Sequence, residues 1–195
     1  MRGLRNNNPL NIRHSADRWQ GARVEQTDKA FVQFTTMAYG YRAAWKVLDS
    51  YWKHFRQKKL AYNVRNIISR WAPPAENDTE AYIRHVVKLS GLGTNENQVR
   101  PSNGRYLERM ALLIRAMTCV ENGIKMEQVD MEALWQGYDL AWPGRRWNGA
   151  DIDRSEPLLL TPFKAPDPHQ NSTFLWDEYW DWCAPSLTDA PSDKD

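Results

Sequence analysis

Glu121 follows an apolar series, Met110, Leu113, Ile114 and Met117, and is itself followed by Asn122 and Gly123. At the C-terminal end of a helix the macrodipole opposes negative charge, and Met117 and Val120 add apolar neighbours, the setting a general acid needs. The same position also suits an exposed glutamate on a fraying last turn. Glu76 comes after Pro73 and Pro74, whose rings stiffen the chain, and precedes a helix start, where a negative charge is favoured. That makes Glu76 a base or electrostatic stabiliser, or else a simple helix cap. Glu25, in Val24-Glu25-Gln26-Thr27-Asp28, is a third candidate. Cleavage of a glycan strand needs at least one carboxylic acid held protonated near neutral pH, which is what these carboxylates are candidates for.

Groups able to hold a sugar are also present. Arg5-Asn6-Asn7-Asn8-Pro9-Leu10-Asn11-Ile12-Arg13 gathers four amides that each donate and accept, which suits sugar hydroxyls and acetamido groups. Asparagines equally bond their own backbone in turns. Trp19 beside Gln20 and Gly21 offers a flat ring on which the C–H face of a sugar packs, although among 10 tryptophans any one is equally a core residue. His14, His54, His85 and His169 are scattered, and Cys119 and Cys183 are far apart. No metal spacing or disulfide framework results, both cysteines read as free thiols, and no cofactor or metal is expected.

The elements that must position these groups are helices. From about Ala38, the residues Tyr41, Ala44, Trp45, Leu48, Tyr51, Trp52 and Phe55 recur at three- and four-residue spacing and predict one long helix. Val64, Ile67, Ile68 and Trp71 predict a shorter one, stopped by Pro73 and Pro74. Asn77 with Glu80 reads as a capping pair for a helix carrying Tyr82, Ile83, Val86, Val87 and Leu89, ended by Gly91 and Gly93. Tyr106, Met110, Leu113, Ile114 and Met117 predict the next, ending at Glu121, Asn122 and Gly123, and a last one covers residues 131–140. Residues 1–29 read as an ordered loop and residues 31–34 as a short strand.

At 195 residues, with 42% hydrophobic and 26% charged, the chain is expected to fold as one domain, residues 1–142, followed by a Pro-, Trp- and Asp-rich tail, residues 143–195. Residues 1–125 hold 21 Lys/Arg against 10 Asp/Glu, and the remainder holds 5 against 14. The basic body suits an anionic partner, yet no recognised module or stacking platform accompanies the charge, so nucleic-acid binding is not expected. No run of about 18 apolar residues is present, so no membrane span is expected, and residues 1–6 have no apolar signal core.

The runs Arg2-Gly3-Leu4-Arg5-Asn6-Asn7-Asn8-Pro9-Leu10-Asn11-Ile12-Arg13, Trp19-Gln20-Gly21 and Glu25-Gln26-Thr27-Asp28, with Phe31 and Phe34, form a first set of blocks. Arg70-Trp71-Ala72-Pro73-Pro74-Ala75-Glu76-Asn77-Asp78-Thr79 and Tyr82 complete the pattern. Over about residues 2–123 it resembles phage and prophage virion proteins often labelled structural protein P5; where those usually have Gly after Asn-Asn-Pro, this chain has Leu10. The same order is similar to the distal part of bacterial cell-wall glucosaminidases and goose-type lysozymes, whose Asn-rich loop, Trp-Gly pair, Phe-containing strand and Tyr-bearing helix line a glycan groove. In those enzymes the acid glutamate ends a helix placed before the Asn-rich loop, whereas Cys119-Val120-Glu121-Asn122-Gly123 comes after it.

The resemblance thus implies a mainly α, lysozyme-like helical domain with a short strand or hairpin and an irregular C-terminal tail. It implies a permuted order in which Glu121 returns to a groove formed by Asn7, Asn11, Trp19, Glu76 and Tyr82, with Gln20, Glu25 and Trp71 as further substrate-binding residues. Two functions follow as expectations. One is a peptidoglycan glycosidase or lytic transglycosylase acting on glycan strands; the other is a non-catalytic virion structural protein, anchored to other virion proteins by Trp176, Trp180 and Trp182 within residues 176–182. Either would be made in the bacterial cytoplasm without a signal peptide and then be virion-associated or released to the cell wall.

Overall fold

The stripe that begins near Ala38 forms α2, Met37–Gln57, after the short α1, Arg2–Arg5. Thr36 caps α2 by accepting the Tyr39 N–H, one of the donors that a helix start leaves unpaired. Tyr41, Ala44, Trp45, Leu48, Trp52 and Phe55 are buried along one face of α2, and α2 packs on α6, Met131–Ala141. Gly137 lets the two helices approach: a Cβ there would lie 2.6 Å from the Tyr41 Cβ and 2.8 Å from the Ala38 carbonyl oxygen. Trp45 fills the seam, edge-on to Tyr138 at 5.2 Å and stacked with Trp135 at 6.3 Å. Its indole N–H donates to the Leu134 carbonyl at 3.1 Å, so the ring is buried with its donor satisfied.

The structure, a computed structural model, describes residues 1–98, 100–103 and 107–144. The expected tail from residue 145 onward, with His169, the aromatic segment 176–182 and Cys183, lies outside the described residues, as does Tyr106.

Three further helices carry the rest of the body: α3, Val64–Trp71, α4, Thr79–Ser90, and α5, Leu107–Asn122. Met110, Leu113, Ile114 and Met117 of α5 are buried, and so are Ala111, Leu112, Thr118 and Cys119, so this helix is enclosed on nearly every side. It packs against α4, and α4 packs against α3. The loop leading into α5 is pinned by a buried ion pair. Arg100 donates from Nε to Asp49 Oδ1 at 2.8 Å and from Nη2 to Oδ2 at 3.0 Å, and the Ser102 N–H adds a third bond at 3.2 Å. Burial opposes the Asp49 charge, but Arg100 and Ser102 outweigh it and hold this carboxyl below its ordinary pKa.

Three expectations need correction. Asp78, not Asn77, caps α4 by accepting the Ala81 N–H, while the Asn77 side chain donates back to the Pro73 carbonyl at 3.3 Å. Residues 1–29 include α1 rather than loop alone. No strand forms over residues 31–34, which make only isolated antiparallel bridges, Arg13 with Phe31 and Ala22 with Phe34. Side chains replace the ladder there: Asn8 Nδ2 donates to the Ile12 and Val32 carbonyls, and Gln26 Oε1 accepts the Gln33 N–H. Among the described residues the protein is mainly helical, with six α-helices and three isolated bridges, and no helix is long and apolar enough to cross a membrane.

Candidate functional site

The amide-rich loop is built on Asn8, which is fully buried and also accepts the Ile12 N–H at 2.8 Å. Its neighbours Asn7 and Asn11 adopt left-handed backbone, φ 52° and 50°, a conformation that asparagine tolerates better than most residues. Leu10 is not one of the left-handed positions; its side chain is fully buried, so the loop turns at the asparagines on either side. α1 seats against this loop and against α5 through Gly3. A Cβ on Gly3 would lie 2.6 Å from Asn122 Oδ1 and 2.8 Å from both Asn11 Oδ1 and the Asn8 carbonyl oxygen. Asn122 in turn donates to the Pro9 carbonyl at 2.7 Å, tying the end of α5 to the loop.

The last turn of α5 delivers Glu121 to three donors from three different elements. The Trp71 indole N–H, at the end of α3, and the Tyr82 hydroxyl, on α4, each donate to Oε1 at 2.9 Å. Asn11 Nδ2 donates to Oε2 at 2.9 Å. Donors therefore meet the carboxylate where the sequence had suggested the apolar neighbours Met117 and Val120. Burial raises the Tyr82 pKa well above the ordinary tyrosine value, and the Glu121 charge and hydrogen bond add to this, so the phenol stays a donor across the working pH range.

Glu121 opens onto a cleft of about 440 Å³. Trp19, Phe31, Tyr51 and Trp71 supply its aromatic lining, with Tyr51 and Trp71 centred 6.5 Å apart. Asn11, Arg13, Asp17, Glu76 and Asn77 supply polar groups. Trp19 is both wall and packing residue, resting on the cluster of Ile12, Val32, Phe34 and Ala43. At the rim, Arg13 Nη2 and Glu76 Oε2 are 3.5 Å apart, and both side chains are largely exposed. The arrangement puts one anchored carboxylate inside an aromatic cleft and one exposed, ion-paired carboxylate at its edge.

Protein P5 of Pseudoalteromonas phage PM2 is 38% identical to this chain over 125 residues, which make up 63% of this chain and 71% of that protein. The chain belongs to the phage protein P5 family. No family model matches it.

In this P5 family member, Asn11, Trp19, Trp71, Glu76 and Glu121 line one cleft, and Tyr82 reaches it by holding Glu121. The other expected residues lie elsewhere. The Asn7 amide is engaged by the Phe34 and Thr35 carbonyls, and Gln20 and Glu25 are exposed and outside the cleft lining. Tyr51, Arg13 and Asp17 belong to the lining without having been singled out. Tyr51 read as one more position of the α2 stripe, and nothing local marks Arg13 or Asp17 as neighbours of a residue near position 121. Among the described residues no group of His, Cys, Asp and Glu is arranged to hold a metal ion, and Cys119 is a buried free thiol.

Proposed function

We propose that this P5 family member is a virion-associated enzyme that cleaves the glycan strands of peptidoglycan, on a lysozyme-like helical scaffold, with Glu121 as the general acid. The support is one arrangement: a carboxylate held by Trp71, Tyr82 and Asn11 at the wall of an aromatic, amide-bearing cleft. Oε1 already accepts two hydrogen bonds, so when the carboxyl takes up a proton for catalysis that proton belongs on Oε2, whose second lone-pair direction is not taken by Asn11. Glu121 gives that proton to the glycosidic oxygen as the C–O bond breaks. The negative charge that develops on the carboxylate is met by three donors already in position, which lowers the barrier without reorganisation. Glu76, paired with Arg13 at the rim, supports the positive charge developing on the sugar or takes a proton from the attacking water; an internal sugar hydroxyl as attacking group would make the reaction a transglycosylation.

A second reading has its own support. The three bonds to Glu121 also join α3, α4, α5 and the Asn-rich loop, so the carboxylate can serve as a structural tie in a non-catalytic virion protein that engages partners through residues 176–182. A zymogram on purified cell wall separates the two. Clearing by the wild-type chain, lost in Glu121→Gln and reduced in Glu76→Gln, supports the enzyme; no clearing by folded wild-type chain leaves the structural reading.

A further inference from the structure

Beside the cleft, a second hollow of about 640 Å³ has a chemistry of its own. Its floor is a closed hydrogen-bond network. Asp28 takes both Arg2 donors at 2.6 and 2.7 Å, the Asn6 amide at 2.7 Å, and the Ala30 and Phe31 N–H groups. Gln33 Oε1 accepts from the Thr27 N–H, the Thr27 hydroxyl and the Asp28 N–H, while Gln33 Nε2 donates to Asn6 Oδ1. Every side-chain acceptor on this floor is therefore engaged. The walls are different: Arg5, Arg23 and Lys29 are exposed, and none pairs with a carboxylate among the described residues. Arg23 is aimed by its Nε–H, which donates to the Phe34 carbonyl at 3.0 Å. A rigid floor with no free acceptor and walls with unpaired cations selects an anion and rejects a cation.

The hollow connects to the cleft through one ring. Phe31 lines the cleft, and the Arg2 guanidinium, which lines the hollow, sits 4.5 Å from the centre of that ring. A linear neutral glycan lying in the cleft has no use for such a neighbour. Peptidoglycan carries, on alternate sugars, short peptides bearing carboxylates, and one of these would fall beside the strand. We propose that the Arg5, Arg23 and Lys29 hollow is a subsite for the carboxylates of the peptide stem, which makes the substrate a stem-bearing strand rather than bare glycan. This rests on the cleft being a glycan site, as proposed above. A phosphate backbone fits less well: the cations are gathered in one hollow around a carboxylate rather than set out as a stripe.

The test compares two soluble polymers, glycan strands with intact stems and the same strands stripped of stems by an amidase. Binding is measured by calorimetry to the full-length chain carrying Glu121→Gln, so that strands stay whole. Arg5→Glu with Lys29→Glu, both exposed positions, should weaken stem-bearing strands by roughly tenfold at low salt and leave stripped strands unchanged. Equal binding of both polymers before substitution, or equal loss on both after it, overturns the subsite. If neither polymer binds, the glycan reading of the cleft fails together with the subsite. Retention of duplex DNA that depends on Arg5 and Lys29 would then assign the hollow to phosphates, also against the proposal.

Discussion

Tyr82→Phe removes one hydroxyl and keeps the ring, so it tests the Glu121 cluster without opening a side-chain-sized cavity. The hydroxyl is one of three donors, each 2.9 Å from the carboxylate. A hydrogen bond to a charged group contributes about 1.5–3 kcal/mol net. Trp71 continues to serve Oε1 after the change, and Glu121 is only half-buried, so the lower end applies, about 1.5 kcal/mol. In a domain of this size that corresponds to a fall in Tm of roughly 3–6 °C. The assay is urea denaturation of four chains: wild type, Tyr82→Phe, Glu121→Ala and the double variant. In the Glu121→Ala background the phenol has lost its acceptor, so its removal should cost almost nothing, leaving a coupling of about 1.5 kcal/mol. Because the Tyr82 pKa is raised well above the ordinary value, the phenol keeps its proton at pH 9 as at pH 7 and can still donate. An equal cost of Tyr82→Phe with and without Glu121 would refute the proposed bond and the cluster built on it.

Gly3→Ala gains a little helix propensity but drives a methyl into three oxygens 2.6–2.8 Å away, so a net loss of about 1–3 kcal/mol is expected by the same denaturation assay. Stability equal to wild type would mean that α1 is not seated as described. Asp49→Ala leaves Arg100 buried without its partner and should cost about 3 kcal/mol, whereas Glu76→Ala, from an exposed pair, should cost less than about 1 kcal/mol. The reverse order of Cm values would contradict the assignment of buried and exposed pairs. Asp28 is held well below its ordinary pKa, chiefly by Arg2 and against the effect of burial, and Asp49 is held low by Arg100 and Ser102. Both groups are then more easily protonated in the unfolded chain. Their contribution is complete above the ordinary carboxylate range and is lost as pH falls below about 4, so stability measured from pH 5 to 2 should decline, and less steeply in Asp28→Asn.

The helices were legible because their signal is local. Tyr41, Trp45, Leu48 and Trp52 repeat at helical spacing whatever they pack against, and Gly91 and Gly123, both left-handed, mark the ends of α4 and α5. The site was legible only in part. Glu121 stood out through its place before Gly123, but its contact with Asn11 spans 110 positions, and no spacing rule reaches that far. The Asn-rich loop misled for a physical reason. Asn7 and Asn8 give their amides to backbone carbonyls that a strand ladder would otherwise satisfy, which is also why residues 31–34 form bridges and not a strand. Asn77 and Asp78 are adjacent and both able to cap; the side chain of Asn77 turned to Pro73 and left the cap to Asp78. The basic hollow went unseen because Arg5, Arg23 and Lys29 are isolated charges in sequence, gathered around one hollow only in the fold.

Mass spectrometry of the soluble material released from purified bacterial sacculi tests the role of Glu121 most directly. The wild-type chain should release disaccharide-peptide fragments carrying a newly formed reducing or anhydro end, and Glu121→Gln, still folded at the assay temperature by its melting curve, should release none. Release of the same fragments at the same rate by the folded Glu121→Gln chain would contradict the account.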